Sequence, residues 1–206
     1  SRGYYLSQRF TFTGGFLPST RDYIRSSTAG DIYFTLLDKT LGKSFRLKTV
    51  LGFHTDFSFI LPQLNGDLAA TDADLLYIDG MTVALGWPRV LGGQSRWDSR
   101  MNLTMPIFEQ FLWFDNFQSA TVLYLRDEID PRQGLDEFQD MKVDDFKFSM
   151  GSGLKLTIPG LPLGFYFTKR FRIIEGEVIW EPGPLFRDED DPNSGLDFVI
   201  AFTMTL

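Results

Sequence analysis

The chain has no cysteine and a single histidine, His54. Without thiols, disulfides, iron–sulfur ligation and Cys-bearing zinc sites are excluded, and His54 has no second imidazole with which to share a metal. Positive charge is not in excess: a net charge of −7 argues against a nucleic-acid partner. No apolar run reaches the roughly 18 residues of a transmembrane helix, and the opening residues carry no signal-peptide pattern. A catalytic constellation is missing as well. His54 stands two residues from Asp56 on the same face of a strand pattern, which suits a structural hydrogen bond better than a charge relay. The acidic run Arg187-Asp188-Glu189-Asp190-Asp191 lacks the spacing of an EF-hand loop and reads as solvated, so no metal and no cofactor is expected. These absences do not touch one kind of membrane crossing. A transmembrane strand shows only about ten residues of alternating hydrophobicity.

Phenylalanine is abundant, with 21 copies in 206 residues, and it falls in alternating rows. Residues 1–206 have the length of one domain. Strand side chains alternate faces with period two, so the parity of the apolar positions marks the strands. Leu6, Phe10, Phe12 and Phe16 oppose Ser7, Arg9, Thr11 and Thr13, and Gly14-Gly15 with Pro18-Ser19 marks a turn or bulge. Ile24 to Leu36 sets Ile32, Phe34 and Leu36 against Arg25, Asp31, Tyr33 and Thr35, and Leu41-Gly42-Lys43 is a short turn. The clearest strand, Phe45 to Leu61, alternates Phe45, Leu47, Leu51, Phe53, Phe57 and Phe59 with Arg46, Lys48, Gly52, His54, Asp56 and Ser58. It is far longer than the usual strand of about 5 to 6 residues. Trp97 to Ile107 follows the same rule, and Phe117 to Arg126 is a strand whose facing stays open. Asp127 to Asp145 reads as an acidic connection with a short helix over Gly134 to Met141. Phe146 to Ile158, the tight Pro159-Gly160 turn, Leu163 to Phe171, a second long loop from Glu175 to Gly195, and Leu196 to Leu206 complete the series.

Residues 65–97 interrupt it, with neither strand alternation nor a helical stripe. Loops longer than about 12–15 residues are usually functional or disordered. Leu75, Leu76, Tyr77, Ile78, Met81, Val83, Leu85 and Trp87 are too apolar for disorder, so this loop is expected to pack inside a container made by the strands. About eight antiparallel strands with one apolar and one charged row fit two opposite objects: a soluble barrel with the apolar row inward, or an outer-membrane barrel with that row toward lipid. Strand length, alternating short and long connections, and a loop too large for a soluble eight-stranded interior favour the second.

Several segments resemble the C-terminal half of the sixteen-stranded barrel of BamA-type outer-membrane protein assembly factors, the bacterial surface antigen superfamily. Ser1-Arg2-Gly3-Tyr4-Tyr5-Leu6-Ser7-Gln8 is similar to the start of a middle strand. Ile78-Asp79-Gly80-Met81 and Gly86-Trp87, with Trp97 and Leu103-Thr104-Met105-Pro106-Ile107 behind them, resemble the sixth extracellular loop and the strand after it. Gly151-Ser152-Gly153-Leu154-Lys155, Pro159 and the terminal row resemble the final strands. The resemblance implies a non-enzymatic all-β transmembrane barrel of the bacterial outer membrane, either half of a larger barrel or a small closed eight-stranded one. It implies a lumenal-loop motif at Asp79, Gly80, Leu85, Gly86 and Trp87, and a C-terminal assembly signal at Phe198, Ile200, Phe202, Met204 and Leu206. Arg9, Arg25, Arg46, Lys48, His54, Asp56, Lys147, Lys155 and Arg170 would line the lumen. Implied partners are outer-membrane lipid, the remaining barrel half with periplasmic POTRA repeats, lipoprotein partners and unfolded β-barrel clients. The chain departs from the pattern where the family places an Arg at the loop tip and acids to receive it: it has Leu85 at the tip, with Asn102 and Ser119 opposite. Its last residue is Leu206 where the signal usually has Phe. The alternative to protein insertion is a passive structural barrel or a small anion-preferring pore lined by the basic row.

Overall fold

The computed structural model describes residues 2–15, 19–41, 45–62, 70–71, 73–108, 111–125, 141–158 and 161–202. The strands are β1 (Gly3–Thr13), β2 (Tyr23–Leu41), β3 (Phe45–Pro62), β4 (Leu76–Ile78), β5 (Val90–Phe108), β6 (Leu112–Leu125), β7 (Lys147–Ile158), β8 (Leu161–Ile174), β9 (Glu177–Trp180) and β10 (Asp197–Phe202). They form one antiparallel sheet in the order β1-β2-β3-β5-β6-β7-β8-β10, with β4 beside β5 and β9 beside β8. A one-turn 3-10 helix, Val143–Asp145, leads into β7. The sheet is not closed, and β1 and β10 are its two edges.

The alternating rows become two faces through the strand pairing. Asp31 opposite His54, His54 opposite Arg100, Arg100 opposite Ser119 and Ser119 opposite Ser149 make one polar rung across five strands. Ile32 opposite Phe53 and Phe53 opposite Met101 belong to the face behind it. Exposure tells the faces apart. Leu6 and Phe12 are 72 % and 71 % exposed, whereas Thr121 and Thr168 are fully buried. Polar-in, apolar-out is the arrangement of a barrel whose outer solvent is lipid, and it removes the soluble-barrel alternative. Strands of 18 and 19 residues at β3 and β2 exceed the roughly 9–11 needed in a bilayer, and the excess stands beyond it.

The pairing also corrects boundaries drawn from the sequence. Val90 to Ser95 is strand, because the start of β5 pairs with β4 (Leu76 opposite Gly93, Ile78 opposite Val90) and with the end of β6. A bulge between Gly93 and Ser95 breaks the period-two signal there. β9 lies inside the Glu175–Gly195 stretch read as loop; a hairpin turn with Glu175 and Gly176 at positive φ folds it back on β8. The facing of β6 is settled by its partners, with Asp115, Phe117, Ser119 and Thr121 on the polar face. The expected turns at Leu41-Gly42-Lys43 and Pro159-Gly160, and the helix over Gly134 to Met141, fall mainly or wholly outside the described residues.

Candidate functional site: the folded-back loop and its seat

The loop turns on Asp79. Its carboxylate accepts the backbone N–H groups of Met81 (2.9 Å), Thr82 (2.8 Å) and Val83 (2.9 Å) and the Thr82 hydroxyl. Burial pushes this carboxyl upward, but the hydrogen bonds from Thr82, Val83 and Met81 together hold it below the ordinary carboxylate range. Gly80 (φ 72°) and Gly86 (φ 86°) supply the left-handed backbone that closes the tip, where the Gly86 N–H donates to the Gly80 carbonyl at 2.9 Å. A Cβ on Gly80 would stand 2.2 Å from the Trp87 carbonyl oxygen, so the turn admits no side chain there.

The tip delivers Leu85 and Trp87 to the polar face. Leu85, 2 % exposed, packs in one cluster with Phe117 of β6, Tyr166 of β8 and Val199 and Ala201 of β10. Gly86 lies against β8, where an added Cβ would meet the Thr168 hydroxyl at 2.6 Å. The Trp87 indole N–H donates to the Phe148 carbonyl at 3.1 Å. Its ring is approached by Arg170 at 5.6 Å and Lys147 at 6.0 Å, a cation–π arrangement. Arg170 is itself held by Asp197 (2.7 Å) and the Pro182 carbonyl (2.7 Å), so the loop, β8 and β10 share one set of contacts. At the loop's root, Leu75, Leu76, Ile78, Ala84 and Trp87 cluster with Tyr23, Ile60 and Leu123 of the sheet. Asp74 accepts Arg21 (3.0 Å) and Tyr23 (3.2 Å), and the Arg25 guanidinium donates to the Asp74 carbonyl.

The basic row is placed on this same face, and two of its members, Arg46 and Arg170, pair with carboxylates. His54 Nδ1 lies 2.9 Å from Asp31, not against Asp56; Asp56 instead takes Arg96 at 2.7 Å. Arg46 forms a two-point pair with Asp38 at 2.6 Å, and Lys48 stands opposite Asp38 in the β2–β3 ladder. Arg9 is exposed on the edge strand opposite Ser27. Lys155 sits opposite Trp113, one step along the face from Asp115. Phe198 and Ile200 point to the exposed apolar face; the Phe202 side chain, Met204 and Leu206 lie outside the described residues.

Sequence reasoning missed Asp115. It is buried beside the loop seat and accepts Asn102 (2.9 Å), Thr104 (2.7 Å) and the Tyr166 hydroxyl (2.8 Å). Fixing the facing of β6 would have found it. Asn102 is thus a donor to an acid, and Ser119 pairs with Ser149 at 2.8 Å. Among the described residues no cluster of three or more His, Asp and Glu side chains is placed to hold a metal.

The Omp85 superfamily domain matches residues 1–179. The chain is similar, at 27 % identity over 99 % of its length, to a protein of Treponema pallidum (strain Nichols) described as a candidate outer membrane protein assembly factor. It spans about a quarter of that relative's length, the matched part being 25 %. No solved structure matches it. The open antiparallel sheet, the apolar outer face and the domain match together place the chain: it belongs to the Omp85 superfamily, a non-enzymatic family of outer-membrane barrels, and its location is the outer membrane.

Proposed function

We propose that this chain forms the C-terminal part of a barrel that folds and inserts outer-membrane β-proteins, with the edge of β10 as template and the 73–89 loop as the brace that holds that edge. An edge strand presents a row of backbone N–H and C=O groups to which another strand can add. The observation carrying the reading is the seating of the loop tip on the terminal strand. Leu85 packs with Val199 and Ala201, and Arg170 ties Trp87 to Asp197. A packed, internally hydrogen-bonded brace keeps β10 in register while its far side has no partner strand among the described residues. Lipid covers the apolar row. The remaining barrel half, POTRA repeats, lipoprotein partners and unfolded clients complete the working assembly.

The test uses the full protein that carries this chain, reconstituted in vesicles with an unfolded eight-stranded reporter barrel. A photo-crosslinking residue at Ile200 should trap the reporter during assembly, and deletion of Phe198 to Leu206 should abolish barrel assembly. A deletion variant that inserts stably and still folds the reporter sinks the proposal.

A further inference from the structure

The outer face carries a groove that no part of the insertion reading uses. Leu6, Gly30, Thr55, Ser99, Ala120 and Phe148 lie opposite one another in turn, a single rung running across β1, β2, β3, β5, β6 and β7. From β2 to β6 this rung is built from Gly, Thr, Ser and Ala, the smallest stretch on an otherwise bulky face. The next outer rung along the strands carries Ile32, Phe53, Met101, Gln118 and Met150, apolar except for the exposed Gln118 amide. Between the two rungs is a cavity of about 780 Å³, floored by the backbone of the polar rung whose side chains point to the loop face. It ends at Phe171 of β8, which packs on Trp180 at 5.1 Å.

We infer that this groove is a binding site for one acyl chain of a bilayer phospholipid. The family places this face in lipid, so an acyl chain is what meets it. Two outer rungs are separated by two residues, about 6.6 Å, which suits a polymethylene chain but not a helix about 10 Å across. A client strand has nothing to pair with, because β2, β3, β5 and β6 are each bonded on both sides. Two polar side chains of the small-residue rung, Thr55 and Ser99, are turned on one another, while the Gln118 amide stands exposed at the opposite wall. The Thr55 hydroxyl lies 2.9 Å from that of Ser99 and accepts the Trp97 indole N–H at 2.9 Å, so the hydrocarbon leaves no hydroxyl of this pair unmatched. Aromatic rings at strand ends mark the headgroup level, which sets Trp180 at the end where the chain emerges.

Filling the groove tests this. A Cβ on Gly30 would touch Leu6 and Thr55 at 3.7 Å, ordinary contact, so Gly30→Val with Ala120→Leu adds bulk on a backbone that accepts it. The full protein in detergent is titrated with dipalmitoyl phosphatidylethanolamine and read by native mass spectrometry. The wild type should retain one lipid saturably, and the filled variant, with unchanged heat-modifiable mobility, should bind it at least tenfold more weakly. Equal binding by the two overturns the inference. A second readout serves if the variant does not fold: brominated phosphatidylethanolamine should quench Trp97 fluorescence in the wild type, saturating at one lipid per protein, and quenching that rises without saturation overturns the site. Neither readout depends on assembly activity, so failure here leaves the insertase reading standing.

Discussion

Leu85 occupies the position where, by resemblance, an arginine would sit, and its surroundings explain why it is stable there. Phe117 and Tyr166 cross edge-to-face at 5.4 Å and present an apolar seat, while Tyr166 turns its hydroxyl to Asp115. Leu85→Ala removes buried side-chain volume and should cost about 2–5 kcal/mol, read as a lower temperature for loss of heat-modifiable mobility. Leu85→Arg should also destabilise, since Asp115 is already filled by three donors and a buried cation without a partner is costly. Asn102→Asp should destabilise by setting a second carboxylate against Asp115. The two together should recover part of the loss, and a double-mutant cycle showing simple additivity would contradict the seat described here. Asp79 predicts a pH response. Its folded pKa is depressed, so its contribution is present above the unfolded value, about 3.9, and is lost as pH falls through the folded value. Trp87 fluorescence, with the other three tryptophans replaced by Phe, should therefore change below about pH 4; in Asp79→Asn this step should vanish.

At the scale of elements, the loop and β10 should behave as one cooperative unit. Trp87→Phe keeps an aromatic ring but a smaller one, and removes the N–H donated to Phe148, a loss of about 1 kcal/mol for the hydrogen bond on top of the lost packing. It should raise amide exchange in β10 and the 73–89 loop together, leaving β2 and β3 unchanged. Exchange rising in the loop alone would mean that the brace does not hold the edge. The long strands were legible from alternation: β3, from Phe45 to Pro62, lies within a residue of its expected bounds. β4 and β9 were not. A three-residue and a four-residue strand carry too few alternations to stand out, and each exists through its pairing with a long neighbour.

For the whole molecule, the charge pattern bears on conduction. The basic row seen in the sequence suggested anion preference, yet two of its members, Arg46 and Arg170, face Asp38 and Asp197 across strands, and His54 and Arg96 on the same face meet Asp31 and Asp56. Paired charges leave little net field along the face, so single-channel recordings of the full protein should show no strong anion preference. A marked preference would favour the pore reading.

The sequence by itself determined what period-two alternation can encode: the strands, their length, the two-faced sheet and the loop that must fold back. The resemblance grouped Asp79, Gly80 and Gly86 in one loop motif, and the structure supplied the turn chemistry that makes them a tip. Which face meets lipid could not come from alternation, since reversing a barrel leaves it unchanged; strand length, the connections and the size of the loop favoured the outward apolar row, and burial agrees. The partners across strands came from register: Asp31 rather than Asp56 for His54, and Asp115 for Asn102 and for the Tyr166 on which Leu85 packs. These pairs join residues up to 51 positions apart, and only the folded sheet brings them within reach.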